Sequence, residues 1–367
     1  MVLQKKLIIN VKEMIFLLNK TIGELRKNVD KLNIEILSLI NERASVVKEI
    51  SELKDKKGVD YFDPVRETEM MEMIFRFNNG PMYNELVKEI FTSIFNASLK
   101  FMGIKRERKL LISSSNDSGF LSVNNIFDIN GNCPVIIAGP CAIEKPEYLE
   151  IIARQLRSRG IKFLRGGAFK PRTSPYEFQG LREEGLKILS DIGKAYDLIT
   201  VTEVVDTRDV ALVAGYVDIL QIGARNMQNY ELLKEAGHTQ KPILLKRGMN
   251  ATINEFMYAA EYIGLQGNRK IIMCERGIRT FETKTRNTLD IASIPIIKNE
   301  TSLPILVDLS HSLGRKDIVN QIAKAVLSAG ADGVMVEVHP YPEIALSDSK
   351  QQLNPLEFEE MLEYLKI

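Results

Sequence analysis

The strongest constraint on this chain is an alternation that fills its last two thirds. Eight short apolar runs occur there: Pro134–Gly139, Phe163–Gly167, Leu198–Thr202, Ile219–Gly223, Pro242–Lys246, Lys270–Cys274, Pro304–Asp308 and Gly333–Val338. Amphipathic stretches such as Pro146–Arg159, Leu181–Tyr196 and Lys316–Ala329 separate nearly all of them. Short apolar runs suit strands buried on both faces, and stretches of helical period suit the crossovers between parallel strands. Eight repeats over roughly 230 residues predict an α/β fold, a (β/α)8 TIM barrel near the usual size of about 250 residues. An open doubly wound sheet competes, but it needs a phosphate-binding GxGxxG after its first strand, and none is there.

The first part of the chain has a different period. Leu25, Val29, Leu32, Ile36, Leu39, Val47, Ile50 and Leu53 recur at helical spacing, and Lys57-Gly58 supplies a stop. Asp63-Pro64 offers an N-cap and a proline at the first helical position, for a second helix to about Phe77. Asn79-Gly80-Pro81 breaks it, and a third begins near Asn84. An apolar face this wide on one long helix predicts an all-α domain that dimerises. Ser, Asn, Asp and Gly dominate from Ser113 to Asn132, and Asp128-Ile-Asn-Gly131 reads as a hairpin turn. The expected boundaries are 1–105 for the helical domain, 106–132 for linker and hairpin, and 133–367 for the barrel.

Composition narrows the function. Lys plus Arg number 49 against 48 for Asp plus Glu, so the chain is not built to coat nucleic acid or an anionic membrane. Its three cysteines lack a CxxC and suit a cytoplasmic protein rather than a disulfide framework. Apolar runs fall short of a membrane span, and Lys12, Glu13 and Lys20 interrupt the start, which does not read as a signal peptide. The role of residues 1–20 is not defined by their pattern.

In such a barrel the chemistry sits at the C-terminal strand ends. Arg165, Lys170, Arg172, Arg225, Lys246 and Arg276 all follow apolar runs. A lone arginine is usually solvated or paired, but six cations at one mouth suit a ligand carrying several phosphate or carboxylate charges. Cys141, His311, Glu337 and Asp348 fall at the same end and form a candidate divalent metal site, although a cysteine is as often a small buried hydrophobe. His238, Glu203 and Cys274 lie near strands, with structural roles as ready as functional ones. The residues alone point to a metal-assisted enzyme acting on phosphorylated small molecules.

Several motifs carry a resemblance. Gly139-Pro-Cys-Ala-Ile-Glu144, Leu164-Arg-Gly-Gly-Ala-Phe-Lys-Pro-Arg-Thr-Ser174, Gln221-Ile-Gly-Ala-Arg-Asn226, Leu245-Lys-Arg-Gly248, Asp308-Leu-Ser-His311, Glu337-Val-His-Pro340 and Ala345-Leu-Ser-Asp-Ser-Lys-Gln-Gln-Leu353 resemble 3-deoxy-D-arabino-heptulosonate-7-phosphate synthases. The resemblance implies condensation of phosphoenolpyruvate with erythrose 4-phosphate, the first step of the shikimate pathway. It implies that Arg165, Lys170, Arg225, Lys246 and Arg276 surround phosphoenolpyruvate. Pro171, Arg172, Thr173 and Ser174 would hold the sugar phosphate. Cys141, His311, Glu337 and Asp348 would ligate one divalent metal ion, of which Mn, Fe, Co and Zn suit the donors comparably. Lys170, Cys141 and His311 would be catalytic, Lys170 as a proton shuttle whose pKa neighbouring arginines lower. A sister family making 3-deoxy-octulosonate 8-phosphate is the nearest alternative, with a non-catalytic helical dimerisation domain ahead of it. It typically carries Lys-Ala-Asn-Arg-Ser-Ser where this chain has Lys170-Pro-Arg-Thr-Ser174.

The helical part resembles the all-helical bacterial chorismate mutases, through Leu25-Arg26, Asn41-Glu-Arg43, Lys54 and Asp63-Pro-Val-Arg66-Glu67. Arg43 and Lys54 lie three turns apart on one face, while Arg26 is about 100° away from Arg43 around the helix. The resemblance therefore implies that Arg26 crosses from a partner, while Arg43, Lys54, Asp63, Arg66, Glu67 and Ser98 share one pocket. One turn after Ser98 the family usually places a glutamine that hydrogen-bonds the ether oxygen of chorismate; here that residue is Met102. Losing such a donor costs about 10²–10³ in rate. The domain is expected to convert chorismate to prephenate, to sense either as a feedback ligand, or only to dimerise. A homodimer or homotetramer follows from both parts.

Overall fold

The computed structural model describes residues 21–57, 64–102, 110–114, 119–127, 133–172 and 174–367. The chain divides into two compact units, Met1–Arg108 and Lys109–Ile367. No helix among the described residues is long and apolar enough to cross a membrane.

The first unit is helical, as its period requires. Helix α1 (Ile22–Lys57) opens with Thr21 and Glu24 capping each other: Glu24 N–H donates to Thr21 Oγ1 at 3.3 Å and Thr21 N–H to Glu24 Oε2 at 2.9 Å. Helix α2 (Pro64–Phe77) begins at the proline, and helix α3 (Asn84–Phe101) follows the Asn-Gly-Pro break. Leu25, Val29, Leu32, Ile36, Leu39, Ile50 and Leu53 are all exposed along α1.

The second unit is a closed barrel of eight parallel strands in sequence order. They are β1 (Val135–Gly139), β2 (Phe163–Arg165), β3 (Ile199–Val204), β4 (Ile219–Ile222), β5 (Ile243–Lys246), β6 (Ile271–Glu275), β7 (Ile305–Asp308) and β8 (Gly333–Glu337). Each coincides with an apolar run read from the sequence. The β1–β8 register, Val135 opposite Gly333 through Gly139 opposite Glu337, closes the ring.

Side chains alternate along a strand, and here the alternation builds two layers. Ile137, Phe163, Val201, Ile219, Leu244, Ile272, Leu306 and Met335 form one buried cluster inside the barrel. Two residues further along the same strands come Gly139, Arg165, Glu203, Gln221, Lys246, Cys274, Asp308 and Glu337. The period of two thus sends these to the interior at the C-terminal mouth, above an apolar floor.

The segment expected to be linker differs from that expectation. Ile112 is fully buried against the barrel, Leu111 N–H donates to Glu261 Oε1 at 2.9 Å, and Ser302 N–H donates to Ile112 O at 2.8 Å. A five-residue helix α4 (Val123–Phe127) puts Val123 into the same interior cluster as Val135 and Ile137. Ile112 and Val123 are buried, while Leu110, Leu111, Phe120, Leu121 and Ile126 are partly covered. The hairpin expected at Asp128–Gly131 lies outside the described residues.

Candidate active site

The barrel mouth opens into a cavity of about 300 Å³ whose lining includes Arg165, Lys170, Arg172, Arg225, Lys246 and Arg276. All six cations singled out in the sequence therefore face one space. Three have carboxylate partners: Arg165 Nη1 meets Glu337 Oε1 at 2.8 Å, Lys246 Nζ meets Asp308 Oδ2 at 2.5 Å, and Arg172 Nε meets Glu177 Oε2 at 2.6 Å. Arg225 Nη1 reaches the Pro171 carbonyl at 3.4 Å. Arg276 Nη1 is buried and has no hydrogen-bond partner among the described residues. Burial lowers the Arg276 guanidinium below its ordinary value against the pull of Asp308, and Arg286 and Arg225 lower it further. A desolvated, underpaired arginine beside two others is an anion-binding environment.

Beside these cations, Cys141, His311, Glu337 and Asp348 each bring one donor atom within 4.8 Å of the others. Cys141 Sγ is 3.5 Å from Asp348 Oδ2, and His311 Nε2 is 3.6 Å from both Glu337 Oε1 and Asp348 Oδ2. His311 Nδ1 lies 2.9 Å from Asp308 Oδ2, which turns Nε2 toward the group. One sulfur, one imidazole nitrogen and two carboxylate oxygens suit a divalent transition metal. Burial pushes the Cys141 thiol up to about 12, with Glu337 adding to the effect. Burial would also raise Glu337, but His311, Arg165 and Lys170 outweigh it and hold that carboxyl at about 2.

Lys170 corrects one expectation. Burial alone would lower its ammonium, yet the Cys141 sulfur and the Glu337 carboxylate outweigh burial and Arg165, so its pKa is raised. Its Nζ lies 3.0 Å from Cys141 Sγ and 3.1 Å from Cys141 O. Gly167 permits this approach, since a Cβ there would stand 2.5 Å from Cys141 O and 2.9 Å from Lys170 Cδ. The Cys141 sulfur and the Glu337 carboxylate, not the count of arginines, set the sign.

Pro171 and Arg172 line the same cavity, whereas Ser174 lies in the following turn, where its carbonyl accepts from Glu177 N–H at 3.3 Å. Thr173 lies outside the described residues. The structure also brings in Arg279, Arg286 and Asn287 from the segment after β6, none of which the sequence reading singled out. That segment has no apolar period to fix its place; Arg276-Gly-Ile-Arg279 just past a strand was the one available signal. Gln351 and Gln352 lie within the last of the sequence motifs, which assigned them no role. Gln352 Oε1 accepts from Cys141 N–H at 2.9 Å.

In the helical unit, Arg43 and Ser98 meet: Arg43 Nη1 donates to Ser98 Oγ at 2.6 Å, and the guanidinium sits 4.9 Å from the Phe95 ring centroid. Burial lowers Arg43 below its ordinary value. Lys54 is half-buried on the same helix, Arg26 is exposed, and Arg66 pairs with Glu69 at 3.0 Å. Met102 follows the end of α3, its N–H donating to Ser98 O at 3.2 Å. Asp63 and the side chain of Glu67 lie outside the described residues.

Comparison with known proteins agrees with both units. Residues 112–366 match the DAHP synthetase I family, and residues 25–102 match Chorismate mutase type II. The phospho-2-dehydro-3-deoxyheptonate aldolase of Thermotoga maritima is 56% identical over 231 residues, spanning 63% of this chain and 68% of that protein. A 2-dehydro-3-deoxyphosphooctonate aldolase of Francisella tularensis subsp. holarctica is 30% identical over 258 residues, spanning 65% of this chain and 92% of that protein. The crystal structure of the Thermotoga maritima phospho-2-dehydro-3-deoxyheptonate aldolase (DAHP synthase) superposes with a TM-score of 0.68 at 49% identity, covering 72% of this chain and 78% of that one. The interior strand residues, the cation-lined mouth and these matches lead to one assignment: the chain belongs to the DAHP synthetase I family and carries a chorismate mutase type II domain ahead of its barrel.

Proposed function

We propose that the barrel condenses phosphoenolpyruvate with D-erythrose 4-phosphate and water, releasing 3-deoxy-D-arabino-heptulosonate 7-phosphate and phosphate. The observation that carries this reading is the convergence of six cations and a four-residue donor cluster on one cavity. Arg165, Lys170, Arg225, Lys246 and Arg276 hold the carboxylate and phosphate of phosphoenolpyruvate, and Pro171, Arg172, Thr173 and Ser174 take the sugar phosphate. Cys141, His311, Glu337 and Asp348 hold a divalent metal, and polarisation of the aldehyde oxygen is the chemistry it supplies when bound.

The cations fix both anions at attack distance and offset the charge that develops. C3 of the enol phosphate bonds to the aldehyde carbon, and the carbonyl electron pair moves to oxygen. Lys170 Nζ, kept protonated by Cys141 and Glu337, donates a proton to that oxygen. Water adds at C2, which that attack leaves electron-poor, and the proton it loses restores the Lys170 ammonium; the C2–O bond to phosphate then breaks, phosphate leaving with the hydroxyl proton as the C2 carbonyl forms.

The test is product formation from phosphoenolpyruvate with erythrose 4-phosphate or with arabinose 5-phosphate. Turnover with the four-carbon sugar is expected to dominate; preference for the five-carbon sugar would assign the barrel to octulosonate synthesis instead. The higher identity to the heptonate than to the octonate aldolase, 56% against 30%, supports the four-carbon acceptor.

For the helical unit, the Arg43–Ser98 contact supports a pocket that takes chorismate or prephenate, as mutase, as feedback sensor of the synthase, or both. The exposed apolar stripe of α1 supports pairing with a second copy, which brings Arg26 across to the other pocket. A synthase rate unchanged at saturating prephenate, with no prephenate binding, would leave dimerisation as the only role.

A further inference from the structure

Asp348 and Glu337 stand on different segments, and one side chain spans them. Gln351, 5% exposed, donates from Nε2 to Glu337 Oε2 at 2.6 Å, and the same nitrogen lies 3.5 Å from Asp348 Oδ2. Its Oε1 accepts from Arg286 Nη1 at 2.7 Å, and Arg286 Nη1 also stands 3.2 Å from Asp348 Oδ2. Only this orientation of the amide satisfies its neighbours, since a guanidinium offers no acceptor and a carboxylate no donor. Asp348 itself has a φ of 47°, a left-handed backbone that side chains seldom adopt, so the loop is held rather than relaxed.

The two oxygens of Glu337 are thereby made different. Oε1 faces the donor cluster, 2.8 Å from Arg165 Nη1 and 3.6 Å from His311 Nε2, while Oε2 is engaged by Gln351. We propose that Gln351 is a positioning residue that ties off Glu337 Oε2, so that Glu337 presents a single oxygen to a divalent cation, with Arg286 locking Gln351 to the Asp348 loop. This rests on the reading of the cluster as a metal site. An amide suits the task because it neither titrates nor competes strongly as a ligand, and such outer partners set both ligand orientation and affinity.

The test is cobalt(II) titration of chelator-treated full-length protein, as wild type, Gln351→Leu and Gln351→Met. The near-ultraviolet thiolate-to-cobalt band reports Cys141, the visible bands report coordination number, and competition with a chelator gives the affinity. Both variants are expected to keep the thiolate band and to bind cobalt about 10–100-fold more weakly. Their visible bands should also lose intensity as Oε2 joins and the coordination number rises. A merely structural role would weaken binding without moving the visible spectrum, so an unchanged visible spectrum, at whatever affinity, overturns the proposal. A wild type without a thiolate band overturns the metal reading itself, and this one with it. Should Gln351→Leu not fold, Gln351→Met, which keeps the side-chain length, carries the measurement.

Discussion

Replacing Asp308 by asparagine keeps the shape of the side chain and removes its charge. Asp308 is fully buried at the end of β7, where it faces Lys246 Nζ at 2.5 Å, lies 2.9 Å from His311 Nδ1 and accepts from His311 N–H at 3.0 Å. Lys246 is only 5% exposed in its side chain, so its ammonium has little access to water. Breaking a buried pair costs about 3–5 kcal/mol. An asparagine oxygen still accepts one hydrogen bond and can still cap the helix Leu309–Leu313, which places Asp308→Asn near the low end, at about 3 kcal/mol. Adding Lys246→Met removes the stranded ammonium, so the double variant should recover at least half of the loss. Urea unfolding of chelator-treated protein by circular dichroism, with the barrel transition fitted separately, measures Asp308→Asn, Lys246→Met and the double variant.

The pH dependence has a definite sign. His311 and Lys246, acting against burial, hold the Asp308 carboxyl well below its ordinary value. A depressed folded value means that the stabilisation is complete above the unfolded value of about 4 and is lost as pH falls toward the folded one. The gap between wild type and Asp308→Asn should shrink as pH falls below 4. Strict additivity of Asp308→Asn and Lys246→Met, with no coupling between them, would refute the reasoning.

Three further outcomes are expected. Cys141→Ala should abolish metal-dependent condensation and metal uptake while leaving the far-ultraviolet spectrum intact; full metal-dependent turnover by that variant would remove Cys141 from the donor set. Arg276→Met should move two properties in opposite directions. It deletes a buried, underpaired charge and so should raise the thermal midpoint of the ligand-free protein, while phosphoenolpyruvate binding weakens about 10–100-fold; a lowered midpoint in calorimetry would contradict the anion-site account. Met102→Gln should increase chorismate consumption, by up to about 10²–10³ if the missing donor limits the rate. Turnover by the wild type that the substitution does not raise would mean another group already fills that role.

The strands were legible because each is an apolar run closed by turn residues; Arg165 and Lys246 because they stand at strand ends, where the period of two turns them inward, and Lys170, Arg172, Arg225 and Arg276 because they follow just beyond such ends. What escaped reading was whatever depends on distance rather than pattern. Arg286 sits in a Thr-rich loop with no period, and only folding sets it beside Asp348 and Gln351. The direction of the Lys170 shift was misread because Cys141, just past β1, and Glu337, at the end of β8, are set beside it only by folding. Ile112 ends the short run Leu110-Leu111-Ile112 just ahead of the Ser- and Asn-rich stretch and Val123 lies within that stretch; neither belongs to a periodic pattern, yet the folded barrel buries both.

Val123 has a consequence for how such a protein can be cut and joined. Since α4 contributes to the cluster inside the barrel, and Ile112 packs beneath its outer helices, the synthase module starts some twenty residues before its first strand. A graft that exchanges the helical module for another has its seam ahead of Leu110. One made just before Val135, where the repeating pattern begins, would leave the interior open at its base and expose hydrocarbon to water.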